Sequence, residues 1–162
     1  GIMIDTNNFL TKTGVRTFEA AAFLRRCGAD VTRVRKMFRE HVEDYRAKGE
    51  AIRNAELFRE HFAISVCPSE GLDSPTVVGA QAANELLNII GVKASFVLTD
   101  YRNTIYISAR SIDEINVQIV MERLGGGGHL NIAGAQLEHY SITEAKDVLK
   151  QTLQKMLDEG DI

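Results

Sequence analysis

Tryptophan is absent from the 162 residues, proline and cysteine each occur only twice, and aromatics amount to 7%. So few prolines and aromatics argue against an all-β sandwich, a collagen-like chain or a proline-rich linker. Cys27 and Cys67 share no CxxC spacing and stand in no histidine cluster, so the spacing offers no zinc site. Both are expected to be free, buried thiols in a reducing compartment. No apolar run approaches the ~20 residues of a membrane span. A net charge of −3 excludes a uniformly basic nucleic-acid binder, and 44% hydrophobic residues exclude disorder. What is present is enough for one globular domain, or one domain with a piece of its neighbour. A chain of this length buries about 70% of its unfolded surface and needs no staple.

Charge is uneven along the chain, with nine Lys/Arg against five Asp/Glu between Arg25 and Arg53. A solvated helix face explains this better than a phosphate-binding stripe. The apolar opening Ile2–Ile4 reads as the end of a buried strand with Asp5 at its tip. Such an opening is expected of a piece cut from a longer protein. Thr17 is placed to cap a helix with Ala20, Phe23, Leu24 and Cys27 on its apolar face and Gly28 as its stop. A second helix is expected from Val31, bent near Gly49 and continuing through Phe58. Beyond Arg59 the pattern changes. Alternation predicts a strand over Phe62–Val66, and Ser74–Pro75 opens a helix closed by Gly91. A hairpin turns at Asp100–Asn103, a helix ends before four glycines, and a strand follows at Ala135–His139. Ser141 and Glu144 form a capping box for the last helix. The predicted class is α/β, a mixed sheet packed with helices, preceded by a helical connector; the division falls at 1–60 and 61–162.

The run Gly125-Gly126-Gly127-Gly128-His129 carries the most chemistry. Four glycines are entropically costly to order, so a compact domain keeps them for a backbone reason. Their N–H groups can approach an anion closely, phosphate above all, with His129 as a side-chain donor. A flexible hinge is the alternative. No Lys-Ser/Thr follows, so this is not a Walker loop. Arg110, between Ser108 and Ser111 at a strand end, can fork onto a phosphate or stack on a base, or simply be solvated. Asp5 suits a hard divalent cation, but one carboxylate holds no catalytic metal. Arg16 begins a helix, and His41, His61 and His139 are isolated and receive no role.

Together, GGGGHLNIAGAQL, ISARSIDEINVQIVMERLGGGGHL and GIMIDTNNFLTKTGVRTFEAAAFLR resemble the DHH phosphoesterase superfamily. They resemble its C-terminal DHH-associated domain, and within it the GdpP (YybT) type cyclic-di-AMP phosphodiesterases. The resemblance implies that Asp5 matches the last of the family's manganese-binding aspartates. It matches Gly126, Gly127, Gly128 and His129 to the loop that holds substrate phosphate and nucleoside, and Ser108 and Arg110 to the adjacent substrate-contacting strand. Arg16, in a family-like segment, takes a substrate-binding role. Family chemistry uses two manganese ions to position and deprotonate a water that attacks phosphorus in line. No DHH triplet occurs here, so the missing DHH lobe of the same chain is an implied partner and the fragment alone is expected to be inactive. The resemblance implies a parent that opens cyclic-di-AMP to linear pApA, with a short oligonucleotide as the other substrate, as a cytoplasmic domain of a protein anchored in the bacterial cell membrane. A homodimer through the apolar start is a further expectation. The alternative, from a different class, is a nucleic-acid-binding module of a RecJ-like exonuclease or oligoribonuclease. A small-anion sensor accounts for the glycine loop but not for Asp5.

Overall fold

The computed structural model describes residues 1–10, 12–112 and 114–162. Thr11 and Asp113, both within segments quoted above, lie outside the described residues. The chain divides into two compact units, Gly1–Glu40 and His41–Ile162.

The first unit contains helices α1 (Ile2–Asp5), α2 (Val15–Arg26) and α3 (Val31–Lys36). Ile2–Ile4 is therefore helical and not the strand end expected from its apolar run. Local i→i−4 bonding satisfies the backbone, as in Asp5 N–H to Gly1 O at 3.2 Å. The N-cap of α2 is Gly14 rather than Thr17. Thr17 stands three residues in, and its hydroxyl accepts the Gly14 N–H at 3.3 Å. Gly28 ends α2 as expected: it takes φ +96°, while its own N–H and that of Ala29 return to Arg25 O and Leu24 O. The apolar residues expected to be buried on α2 are not. Phe23 and Leu24 are exposed, as is Cys27, so the expectation of two buried thiols holds for Cys67 alone.

In the second unit, α4 (Val42–Arg53) runs straight through Gly49. An interior glycine costs a helix about 1 kcal/mol, and burial of Ala47 and Ala51 on either side offsets it. The break lies earlier, before α4, whose start is marked by Glu43 and Asp44 in its first turn. Nor does helix continue to Phe58. Glu56–Phe58 is a short strand, β1, antiparallel to β2 (Phe62–Cys67). Then follow α5 (Pro75–Leu86), β3 (Ala94–Tyr101), β4 (Thr104–Ser111), α6 (Val117–Arg123), β5 (Gly127–His129), β6 (Ile132–Glu138) and α7 (Ile142–Glu159). The sheet order is β1-β2-β3-β4-β6-β5. Only β2–β3 is parallel, and α5 supplies its crossover. This is the mixed α/β architecture expected. The β3–β4 hairpin turns at Arg102–Asn103, both at positive φ, as a two-residue connection requires.

The sheet separates two cores. One face carries Phe62, Ile64, Phe96, Leu98, Ile105, Ile107 and Leu137 against α6 and α7. The other carries Ala63, Cys67 and Val97 against α4 and α5. Two buried serines fasten this second layer. Ser65 Oγ donates to Ala51 O at 2.5 Å, and Ser95 Oγ to Ala83 O at 2.6 Å. Gly79 lets α5 approach β3 so closely that a Cβ there would collide with Thr99 Oγ1.

α7 opens with the expected capping box: Glu144 N–H donates to Ser141 Oγ at 3.2 Å and Ser141 N–H to Glu144 Oε2 at 2.8 Å. Downstream, Lys146 and Lys150 reach Glu56 of β1 at 3.1 and 3.0 Å, tying the edge strand to the helix. Partial burial raises the Glu56 carboxyl, but hydrogen bonds from Lys150 and Lys146 and their charges outweigh it, and the net position is below the usual range. A depressed folded-state pKa gives stability that is present above the unfolded value and lost as pH falls through the folded one. Glu56→Gln should therefore lower stability at neutral pH and flatten its decline in acid. Chemical denaturation at pH 7 and pH 3 checks this; equal losses at both would remove the ion pair as the cause.

Candidate functional site

Strand β4 alternates Thr104, Tyr106, Ser108 and Arg110, half-buried, with the buried Ile105, Ile107, Ala109 and Ser111. The register carries the half-buried set into rows across the sheet. Ser108 pairs with Gly134 and Gly134 with Gly127; Tyr106 pairs with Gln136; Arg110 pairs with Ile132 and Ile132 with His129. All these residues share the face that α4 and α5 cover over β2 and β3. That cover stops short of β6, and the exposed half of the face forms a cleft of about 550 Å³. Thr76, Tyr106, Ser108, Gly125, Gly126, Gly127, Gly134 and Gln136 are among its lining residues.

Each glycine of the run has its own role. Gly125, at φ +78°, ends α6: its N–H returns to Glu122 O at 3.0 Å and that of Gly126 to Met121 O at 2.8 Å. Two of the four backbone donors thus serve the helix cap and are not turned toward a ligand. Gly126 and Gly128 are demanded by contact with β6. A Cβ on Gly126 would strike Gly134 O and lie 2.6 Å from Ala135 Cα; one on Gly128 would lie 2.5 Å from Ala133 Cα. A Cβ on Gly125 or Gly127 would meet nothing within 4 Å, and both line the cleft, but of these two only Gly125 needs its glycine for a positive φ. The run is therefore a cap followed by an edge strand, not a loose hinge.

Of the residues expected at a site, Ser108, Gly126 and Gly127 come together in the cleft. Gly128 packs against β6. His129 is exposed one row beyond, on the same face as the cleft, with Arg110 two strands away at roughly 10 Å by strand spacing. Arg110 is held in place: its Nε donates to Asn84 Oδ1 on α5 at 3.1 Å and its Nη1 to Ala109 O at 2.9 Å. Burial pulls its pKa below the ordinary arginine value, yet the guanidinium stays charged near neutrality. Asp5 is exposed at the end of α1, and Arg16 is exposed in the first turn of α2; both belong to the other unit.

Thr76, Tyr106 and Gln136 were not singled out from sequence. The period-two polarity of β4 was legible, but which sheet face lies open depends on where α5 ends. Among the described residues, the Tyr106 and Ser108 hydroxyls and the Gln136 amide have no protein hydrogen-bond partner. Thr76 adds the N-terminal turn of a twelve-residue helix, the positive end of its dipole. Hydroxyls, an amide, backbone glycine and a flanking guanidinium around an open cleft suit a phosphate-bearing ligand. They hold no nucleophile–base pair.

No group of three or more His, Cys, Asp or Glu among the described residues is arranged to hold a metal. No helix among them is long and apolar enough to cross a membrane.

Known proteins resemble this chain in sequence and in fold. The chain is 42% identical over 150 residues to cyclic-di-AMP phosphodiesterase PdeA of Listeria monocytogenes, covering 92% of this chain and 23% of that protein. It is 41% identical over 162 residues to cyclic-di-AMP phosphodiesterase GdpP of Bacillus subtilis, covering 99% and 25%. It thus spans about a quarter of the length of these curated relatives. The fold matches the crystal structure of an exopolyphosphatase-related protein from Bacteroides fragilis at TM-score 0.85 and 23% identity, over 96% of this chain and 48% of that one. The model of the DHHA1 domain matches residues 61–156, more than half the chain, and the chain belongs to that family.

Proposed function

We propose that this chain is the substrate-binding portion of a metal-dependent phosphodiesterase that hydrolyses cyclic-di-AMP to linear pApA. The observation that carries the reading is the uncovered half-face over β4 and β6, where Ser108, Gly126 and Gly127 stand around one cleft beside the N-terminal turn of α5. The names of the relatives supply the substrate. Ser108 donates to a phosphate oxygen, Gly127 lets it approach the backbone, and Arg110 and His129 flank the cleft with further donors. Residues 61–162 form the substrate-binding part in this reading; residues 1–60 contain the end of a DHH lobe and a connector. Arg16 serves substrate from that segment. The intact parent is anchored in the bacterial cell membrane with this portion on the cytoplasmic side, and a homodimer is a further assembly to test.

The residues present do not fit the two manganese ions of such chemistry, because among the described residues no group of three or more His, Cys, Asp or Glu gathers around Asp5 or elsewhere. No hydrolytic step is assigned to this chain, and added manganese should elicit no hydrolysis of cyclic-di-AMP.

Calorimetric titration with cyclic-di-AMP, pApA and a ten-nucleotide poly-A tests the reading. Dinucleotide should bind with little gain in the longer strand, and Ser108→Ala should weaken it at least about tenfold, as expected for a hydrogen bond to a charged group. Binding of the decamer alone, with a steep salt slope, would establish a nucleic-acid module instead. Turnover by the chain alone would overturn the assignment of inactivity.

A further inference from the structure

Beyond the phosphate-facing row of Ser108, Gly134 and Gly127 lies a second row that the proposed function does not use. Tyr106 on β4 and Gln136 on β6 are directly opposed in the register, and both line the cleft. We propose that this pair reads the nucleobase, and that Gln136 makes the site select adenine over guanine. The inference rests on the phosphodiesterase reading and names the part of its substrate that confers specificity.

The placement fits a nucleotide. Two residues along a strand span about 6.8 Å, a ribose-long step from the phosphate row to the Tyr106–Gln136 row. Opposed side chains on neighbouring strands stand about 5 Å apart, so a base stacked on the Tyr106 ring brings its edge to the Gln136 amide. Tyr106 is half-buried, and its ring packs at 51° to that of Tyr101 with centroids 6.5 Å apart, which braces the stacking surface. Arg102 in turn lies 4.9 Å from the Tyr101 ring centroid. Gln136 is exposed and its amide makes no hydrogen bond to another described residue, so its donor and acceptor can exchange water for ligand.

The chemistry then discriminates. Adenine presents an N6 donor beside an N7 acceptor, which a glutamine amide matches with its carbonyl and its NH₂. Guanine presents two acceptors, O6 and N7, and the amide carbonyl would face O6 unpaired. A planar guanidinium instead satisfies both guanine acceptors.

The test is binding of pApA, pGpG and a pApA carrying 7-deaza-adenine to the whole chain and to Gln136→Leu, Gln136→Arg, Tyr106→Phe and Tyr106→Ala. Thermal melting of each variant verifies folding. The wild-type chain should prefer pApA by about tenfold or more. Gln136→Leu should abolish the preference, Gln136→Arg should reverse it, and the 7-deaza ligand should bind the wild-type chain like pGpG. Tyr106→Ala should weaken both purines about tenfold, with Tyr106→Phe retaining stacking. Equal binding of both purines, or a preference that survives Gln136→Leu, would overturn the inference while leaving the Ser108 phosphate contact standing. Binding of neither would fail the phosphodiesterase reading and this inference with it.

Discussion

Gly126→Val is expected to cost about 3 kcal/mol of stability, at the upper end for overpacking, and to lower the melting temperature by roughly 10 °C. The Cβ of any other residue would meet Gly134 O and lie 2.6 Å from Ala135 Cα. These are backbone atoms in the middle of β6, which β4 holds from the far side, so no rotamer change relieves the clash. Relief requires β5 to move away from β6, and β5 forms one wall of the cleft. Dinucleotide affinity should therefore fall with stability. Gly127→Ala is the control for stability alone: its Cβ meets nothing within 4 Å, so stability should be unchanged or slightly raised, while the added methyl in the cleft lowers dinucleotide affinity by itself. Chemical denaturation and calorimetric titration of both variants check this. Equal stabilities would mean that β5 packs on β6 more loosely than the structure has it.

The second large effect separates stability from binding. Phe96 is fully buried in β3, tilted against Phe62 with ring centroids 6.3 Å apart, in the layer covered by α6 and α7. Phe96→Ala should cost about 3–5 kcal/mol through lost burial and an unfilled cavity. Its side chain points to the sheet face opposite the cleft, so ligand affinity measured below the melting transition should stay within about twofold, as for sites without shared partners. A parallel collapse of affinity would show that the two faces of the sheet are not independent.

The elements of the second unit were legible where a local rule decides them. Ser141 and Glu144 cap α7 as their spacing required, and Pro75 begins α5. Misreadings fell where local signals compete. Gly49 looked like a break, but neighbouring alanines hold it in α4. Phe58 continued a helical apolar pattern, yet it pairs with Phe62 in an edge hairpin that Lys146 and Lys150 tie to α7 through Glu56. Phe62 is only four residues on, but Lys146 and Lys150 lie far along the chain from Glu56, so no local window reveals what ties this hairpin to α7. Ile2–Ile4 is short enough that an apolar run suits helix and strand equally.

By itself, the amino-acid sequence determined that this is an α/β protein with glycines kept for backbone reasons. It also set Thr104, Tyr106, Ser108 and Arg110 on one face of β4 and Ser111 on the other, because strand periodicity and steric freedom are local properties of the chain. Tertiary structure decided which of those features make a site. Sheet order set Ser108 across from Gly134 and Gly127, and Tyr106 across from Gln136. The reach of α5 left those rows uncovered, while contact with β6 committed Gly126 and Gly128 to packing. Register and helix cover depend on pairings between residues far apart in the chain, and these exist only once the sheet has closed.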